Sequence, residues 1–407
     1  MILRRFTRLL GLLLALPGTH HSLQAATLGE DVPLWLEEAW QKNPQDLQLG
    51  LTLLQYYLKQ QDNTRTLVLA EQLYTNYPNN PEVLKALILS LLANGDANTA
   101  LNHANKLTEL KSSSPDAWYL LGLAYSQKSD SAPAAQKALD RALALQANNL
   151  PALELKTRLY LREQQYKEAL ESARSLQTRF SALPLGYRLE GDIQTQQRDF
   201  AKAVPAFQAA FNKAPSLGLV LALANAQWQA DNQTEALKTL KSWLATNPKD
   251  TNARTQLLLY LNLLQRNSEA IAEGETILRQ EPNNSVAVNN LAALYQQVGD
   301  KRALEFAERA MQLAPDSPDV ADTLGWILVQ SNQQLPRGIE LLRQAVAKKA
   351  EPQIRYHLAA AYAKAGQREE ALRELDKLQQ LNKLSSNKLP AQLVDDMQKL
   401  QTSLQQK

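Results

Sequence analysis

Apolar residues return along most of the chain at helical spacing, and the pattern is interrupted at regular intervals. In LVDDMQKLQTSL, near the C-terminus, Leu393, Met397, Leu400 and Leu404 fall on one helical face. Upstream, apolar helix-like stretches are stopped by prolines at Pro44, Pro78, Pro215, Pro248, Pro282 and Pro315. The first interval is 34 residues, and the last three are 33, 34 and 33. Several of these prolines precede Asn or Asp, as in PNN at Pro78 and Pro282 and PKD at Pro248. Proline cannot continue a helix and Asn or Asp caps the next one, so each cluster predicts the end of one helix and the start of another. A recurrence of this length predicts units of two helices, each of about a dozen residues.

Aligned on those stops, the stretches share side chains as well as length. WYLLGLAY holds Trp118, Leu121, Gly122 and Tyr125; NNLAALY holds Leu291, Ala292 and Tyr295. DTLGWIL holds Leu324, Gly325 and Leu328; YHLAAAY holds Leu358, Ala359 and Tyr362. About a dozen residues after the small residue comes another, at Ala135, Ala169, Ala203, Ala236, Ala270, Ala303 and Ala371. An apolar residue follows four later, as at Leu139, Phe207, Leu240 and Leu375. The pattern resembles the tetratricopeptide repeat, W-x2-L-G-x2-Y followed by A-x3-F and P. Trp118, Leu121, Gly122 and Tyr125 match its first part residue for residue. The resemblance runs from about Leu47 to Leu384, in ten units beginning near Leu47, Pro81, Pro115, Leu150, Pro184, Gly218, Thr251, Ser285, Pro318 and Pro352. It implies an all-α fold, a right-handed superhelix (α-solenoid) of about ten helix-turn-helix repeats.

The pattern has a physical reading of its own. Small residues such as Gly122 and Ala135 let the two helices of a unit approach closely, and Leu and Tyr fill the crossing. Neither helix alone buries its stripe, so each unit leans on the next. The expected organisation is a leader over residues 1–25, an N-terminal capping helix within 26–46, the repeat array over 47–384, and a linker with a C-terminal capping helix over 385–407. In VPLWLEEAWQKNP, Trp35 and Trp40 are expected to cover the first unit. Three departures stand out: the third unit is one residue long around SDSAPAAQ, Arg337-Gly338 replaces an acid–alanine pair, and Pro205 lies one turn into a second helix. All three read as adjustments of loops and helix starts.

Composition sharpens this picture. With 14 Gly, 6% aromatics and few β-branched residues, the chain favours helix over sheet. The absence of cysteine excludes disulfides, thiolate metal sites, a cysteine nucleophile and a lipid on an N-terminal cysteine. The formal net charge of +3 is matched by Arg4, Arg5 and Arg8, and no acid precedes Glu30. The rest is balanced, a poor electrostatic match for nucleic acid. The basic start, the apolar Leu9–Leu16 (LLGLLLAL) and the small residues near Ala25 and Ala26 read together as an export signal. Its apolar core is too short to span a bilayer, and an uncleaved anchor is the alternative. The expected location is the periplasm, with no transmembrane span in the mature chain and any membrane association through a partner complex.

No catalytic constellation emerges. The leader holds His20 and His21, which leaves His103 and His357, two distant residues that make no protein metal site. Glu37-Glu38, Glu369-Glu370 and Asp395-Asp396 are adjacent, so on a helix they diverge by about 100° and read as solvated faces. Phosphate-binding glycine loops and a G-x-S-x-G elbow are absent. No cofactor and no metal are expected.

The resemblance instead implies a concave groove lined by first helices. Register places Arg158, Arg188, Asp192, Asn225, Asn289, Trp326 and Tyr356 there, as a candidate surface for a protein or peptide partner. For Trp326 and Tyr356, ordinary packing is the equal alternative. The carboxylate clamp that some members use for a chaperone tail needs Lys, Asn, Asn, Lys and Arg; the matching positions hold Thr255, Leu259, Asn290, Asp319 and Thr323, so only Asn290 fits. Asn283-Asn284 reads as punctuation between units, whereas Asn289-Asn290 lies on a first helix. The stretch Pro315–Leu378 is similar to repeat proteins of bacterial exopolysaccharide and exosortase-linked surface systems, although those are often lipid-anchored and this chain lacks the cysteine. That similarity implies an exported, non-catalytic scaffold in exopolysaccharide or surface-protein assembly. The alternatives are an accessory subunit of pilus or secretion machinery and a regulatory module of an enzyme complex.

Overall fold

The computed structural model describes residues 34–332, 334–384 and 388–406 of the 407. The expected leader, and residues 26–33 of the expected N-terminal cap, lie outside the described residues. Among the described residues there are 22 helices and no strand. Helix α1 is Leu34–Lys42. Ten helix pairs follow. The first five are α2 and α3 (Leu47–Lys59, Asn63–Asn76), α4 and α5 (Pro81–Ala93, Ala97–Leu110), α6 and α7 (Pro115–Ser126, Ala132–Leu145), α8 and α9 (Leu150–Arg162, Tyr166–Arg179), and α10 and α11 (Leu185–Gln196, Phe200–Lys213). The second five are α12 and α13 (Leu217–Gln229, Gln233–Thr246), α14 and α15 (Thr251–Leu263, Asn267–Gln280), α16 and α17 (Ser285–Gln297, Arg302–Leu313), α18 and α19 (Pro318–Gln330, Leu335–Lys348), and α20 and α21 (Pro352–Lys364, Arg368–Leu384). Helix α22 is Ala391–Gln405.

Caps set the helix starts. Asn80 Oδ1 accepts from the N–H groups of Glu82 and Val83, Asp250 Oδ1 from Ala253, and Asn284 Oδ1 from Ala287 at 3.0 Å. The punctuating clusters are therefore N-caps, often followed by proline at the first helical position, where its missing N–H costs nothing. Two starts fall one residue from those expected. Helix α12 begins at Leu217, because Ser216 caps it by accepting from Leu219 N, and α10 begins at Leu185 with Pro184 as its N-cap residue.

Each pair turns on a left-handed residue between its two helices, and the α18–α19 turn holds a second, Gln334, with φ of +51°. Gly95, Gly299 and Gly366 take it with φ of +72° to +83°; Gln61, Asp130, Gln164, Arg198, Asp231, Gln265 and Asn332 take it with φ of +56° to +61°. Seven of ten repeats thus hold an L-residue where glycine fits without steric cost.

The chain divides into two compact units at Pro215 and Ser216, where the sequence pattern runs on unbroken. In the first unit, Leu36 and Trp40 of α1 are buried with Leu53, Leu54 and Leu73. Trp40 covers the first repeat as expected, but Trp35 is 62% exposed. Five residues on a helix turn by about 500°, so the two rings cannot share a face. Gly122 is the close approach the pattern predicts: a Cβ there would sit 2.8 Å from Leu139 Cγ. In the second unit, Leu257, Ile277, Leu291, Tyr295, Leu324 and Leu358 are core residues. Gly338, the departure from the acid–alanine pattern, is a contact site, since a Cβ on Gly325 would meet its carbonyl oxygen at 3.0 Å. Helix α22 packs on α20 and α21, burying Leu393, Met397 and Leu404 against Ala359, Leu375 and Leu378.

One cluster occurs twice and ties helices of neighbouring repeats. In the second unit, the Tyr295 hydroxyl of α16 donates to Glu275 of α15 at 3.0 Å, and Arg302 of α17 lies 4.1 Å over the Tyr295 ring, within 3.3 Å of Glu275 and 2.8 Å of Asp300. In the first unit, Tyr57 of α2 donates to Glu37 of α1 at 2.9 Å, and Arg65 of α3 lies 4.8 Å over its ring, with Glu37 and Asp62 at 3.0 and 2.5 Å. The Tyr–Glu separation is 20 residues in both. Helix α1 therefore stands where the second helix of a preceding repeat would stand.

Candidate functional site

Successive first helices approach one another directly, α4 to α6, α6 to α8 and α8 to α10 in the first unit, and α12 to α14, α16 to α18 and α18 to α20 in the second. Second helices are held further apart by the first helix between them. The first helices therefore lie on the inside of each stack's curve. In α12, α14 and α16, residues at the second, fifth, ninth and thirteenth places share the face these helices leave open.

The candidate residues divide between the two units. In the first, Arg158 is half-buried and folds back on its own helix, donating to Glu154 at 2.9 and 2.7 Å. Arg188 and Asp192 are half-buried on α10. This face is charged. In the second unit, Asn225 is exposed on α12, and Asn289 is half-buried on α16, its Oδ1 buried without a hydrogen-bond partner.

Trp326 and Tyr356 are both drawn into packing. Trp326 stacks on His357, with centroids 4.3 Å apart and planes 13° apart, beside Leu335 and Ile339. His357 Nδ1 meets Asp322 Oδ1 at 2.8 Å, and its Nε2 meets the Gln353 amide nitrogen at 3.0 Å. Asp322, Trp326, Gln353 and His357 thus form one polar and aromatic joint between α18 and α20. Tyr356 packs against the Leu393 and Met397 cluster of α22. Burial there and the nearby Asp396 carboxylate raise its hydroxyl pKa. The structure joins Trp326 to Tyr356 through His357, whose ring lies 6.3 Å from that of Tyr356.

Register reasoning passed over the apolar members of the second-unit face. Leu259 and Leu263, one turn apart on α14, are 38% and 64% exposed, and Val286 on α16 is 56% exposed. Their signal was present in the sequence, since Val286, Leu259 and Leu263 stand at the second, ninth and thirteenth places of their helices, where the repeat pattern calls for no apolar residue.

No group of three His, Asp or Glu side chains gathers in metal-binding geometry among the described residues. An open cleft of about 610 Å³ lies between α1 and α3, lined by Trp40, Leu53, Tyr57, Val68 and Leu69. No helix of the described residues is long and apolar enough to cross a membrane.

Comparison with known proteins places this architecture. Two family models, both described as tetratricopeptide repeat, match residues 270–389 and residues 85–150 and 188–251, together more than half of the chain. The TPR repeat-containing protein PA4667 of Pseudomonas aeruginosa is 29% identical over 151 residues, 35% of this chain and 24% of that protein. Protein FlbA of Caulobacter vibrioides is 26% identical over 155 residues, 38% of this chain and 26% of that protein. The match spans about a quarter of each of these relatives. Among solved structures, YrrB, described as a TPR protein with an unusual peptide-binding site, is 20% identical, with 46% of this chain and 96% of that one covered at a TM-score of 0.36. A tetratricopeptide repeat protein from Parabacteroides merdae is 18% identical, with 56% and 90% covered at a TM-score of 0.44. With ten helix pairs in phase and repeat models matched along more than half its length, the chain belongs to the tetratricopeptide-repeat proteins.

Proposed function

We propose that this chain is an exported, non-catalytic scaffold that takes a protein partner along its first-helix face, in the assembly or export of exopolysaccharide or surface proteins. The observation that carries the binding role is the open face itself. Side chains such as Asn225, Leu259 and Leu263 stay exposed on helices that are otherwise packed on both sides. Contiguous apolar surface left in solvent marks an interaction site, and Leu259 and Leu263 stand one turn apart on one face of α14. The leader pattern before Glu30 supports the exported location.

The test uses the full-length chain, tagged at its C-terminus, in its native host. A photo-crosslinking residue at Leu263 should trap an envelope protein, and the same residue at Lys241, exposed on second helix α13, should not. Osmotic shock should release the tagged chain. Retention in the cytosol, or crosslinks confined to cytosolic proteins, would overturn the proposal.

A further inference from the structure

Three first helices of the second unit are unusual in what they lack. Helices α12, α14 and α16 have 13 residues each, and α12 and α16 contain no charged residue. Helix α14 contains one, Arg254, and it turns away from the open face to pair with Glu273 of α15, its side chain 12% exposed. Soluble domains average about 25% charged residues, so a stretch of this length would ordinarily carry about ten. The second helices beside them are normally charged: α15 alone carries Glu269, Glu273, Glu275 and Arg279. The neutrality belongs to the first helices α12, α14 and α16; α18 and α20 of the same unit carry Asp319, Asp322, Arg355 and Lys364.

What remains on that face is aliphatic and amide. Leu259, Leu263 and Val286 are exposed hydrophobics, and Asn225 and Asn252 are exposed amides. Asn289 holds a buried Oδ1 with no donor. One repeat later the same place is taken by Asp322, and there the oxygen is satisfied, by His357 at 2.8 Å. The Asn289 acceptor is thus left open where its counterpart is closed. A buried carbonyl without a donor is destabilising, and a ligand N–H that reached it would recover the lost hydrogen bond.

We propose that the α12–α16 face binds an extended, uncharged polypeptide segment with aliphatic side chains. The inference rests on the scaffold reading above and names the chemistry of its partner. A charged segment would lose its hydration on this face and meet no countercharge, a cost that selects against it. An extended neutral segment loses little, since its backbone N–H and C=O groups meet side-chain amides and its aliphatic groups meet Leu259, Leu263 and Val286. A neutral glycan fits less well. Sugar rings need an open aromatic plane, and the two tryptophans at hand are engaged with neighbouring repeats: Trp228 stacks on Tyr260 at 4.0 Å and Trp326 on His357 at 4.3 Å.

The test pans a random dodecapeptide phage library against the immobilised full chain, then measures synthetic versions of the enriched peptides by fluorescence anisotropy. The expected peptides carry near-zero net charge and aliphatic residues, and their affinity is unchanged between low and high salt, because no ion pair is screened. The double variant Leu259→Asp/Leu263→Asp should weaken them at least tenfold. Circular dichroism should match the parent, and Leu263→Asp alone, at the more exposed of the two positions, should keep the parent Tm while still weakening them. Asn289→Ala should weaken them severalfold, also with no loss of Tm. Enrichment of acidic or basic peptides, or affinity untouched by the double variant, would overturn the neutral-segment inference while leaving a peptide-binding scaffold. Binding of uncharged oligosaccharides in place of peptides would overturn it too. No enrichment over an uncoated surface would sink the scaffold reading along with it.

Discussion

Tyr295 and Tyr57 titrate against their surroundings. Burial, and then the hydrogen bond to Glu275, pushes the Tyr295 hydroxyl up to about 12; burial and Glu37 do the same for Tyr57. A raised folded-state value means that the folded protein holds the proton more tightly than the unfolded chain. The stabilisation is therefore complete below the ordinary tyrosine value and is lost as pH rises towards 12. Tm should fall across that window, and Tyr295→Phe should fall less steeply there, while being less stable near neutrality by about 1 kcal/mol for the lost hydrogen bond. Equal slopes for both proteins would refute the assignment. Backbone positions make a second prediction. Asp231 holds φ of +60° in an interior turn, so Asp231→Gly should raise stability by up to about 1 kcal/mol. Gly186→Ala should do the reverse despite better helix propensity, because its Cβ would sit 2.7 Å from the Gln177 backbone nitrogen. Thermal unfolding of the two variants, scored against the parent, decides both.

At the scale of the helix, two asparagines separated by five residues have opposite roles. Asn284 caps α16, so Asn284→Ala should cost about 1 kcal/mol and leave partner binding unchanged. Asn289 has an unpaired Oδ1, so Asn289→Ala should cost nothing in stability. Urea titrations of both variants that shift by equal amounts would contradict this division. The helices themselves were legible because spacing repeats: a proline or Asn stop every 33 or 34 residues marks both ends of a pair. What spacing cannot supply is the neighbour from the next repeat. Trp326 occupies a groove position, yet His357, 31 residues on, takes a face of its ring. Tyr356 does likewise, and α22 covers it. The seven left-handed turn residues carry no compositional mark either, since Gln, Arg, Asp and Asn stand where a glycine would have announced the turn. The exposed Leu259 and Leu263 were hidden by the opposite habit of reading leucine as core.

For the molecule as a whole, charge is the quantity with reach. Without Arg4, Arg5 and Arg8 the formal charges cancel, and many surface ions are paired with an opposite charge, as Arg337 is with Glu308 and Arg343 with Glu340. A chain lacking residues 1–25 should give no mobility shift with duplex DNA or RNA at physiological salt, since binding there depends on releasing counterions from phosphates. A salt-sensitive shift would show a basic surface that neither the sequence nor the ion pairs contain.

Helix α1 has nine residues, fewer than the dozen or so that a helix needs to hold itself in water. Its order is therefore borrowed from α2 and α3 through Trp40, Leu36 and the Glu37 cluster. Physically it is a ligand on a short tether, bound because its local concentration is high and released whenever the first repeat opens. Binding and opening are then linked: anything that grips the outward Leu34 and Trp35 adds RT ln(1 + [L]/Kd) to the cost of opening that repeat. The end of the array can in this way register contact as a slower rate of hydrogen exchange in α2 and α3.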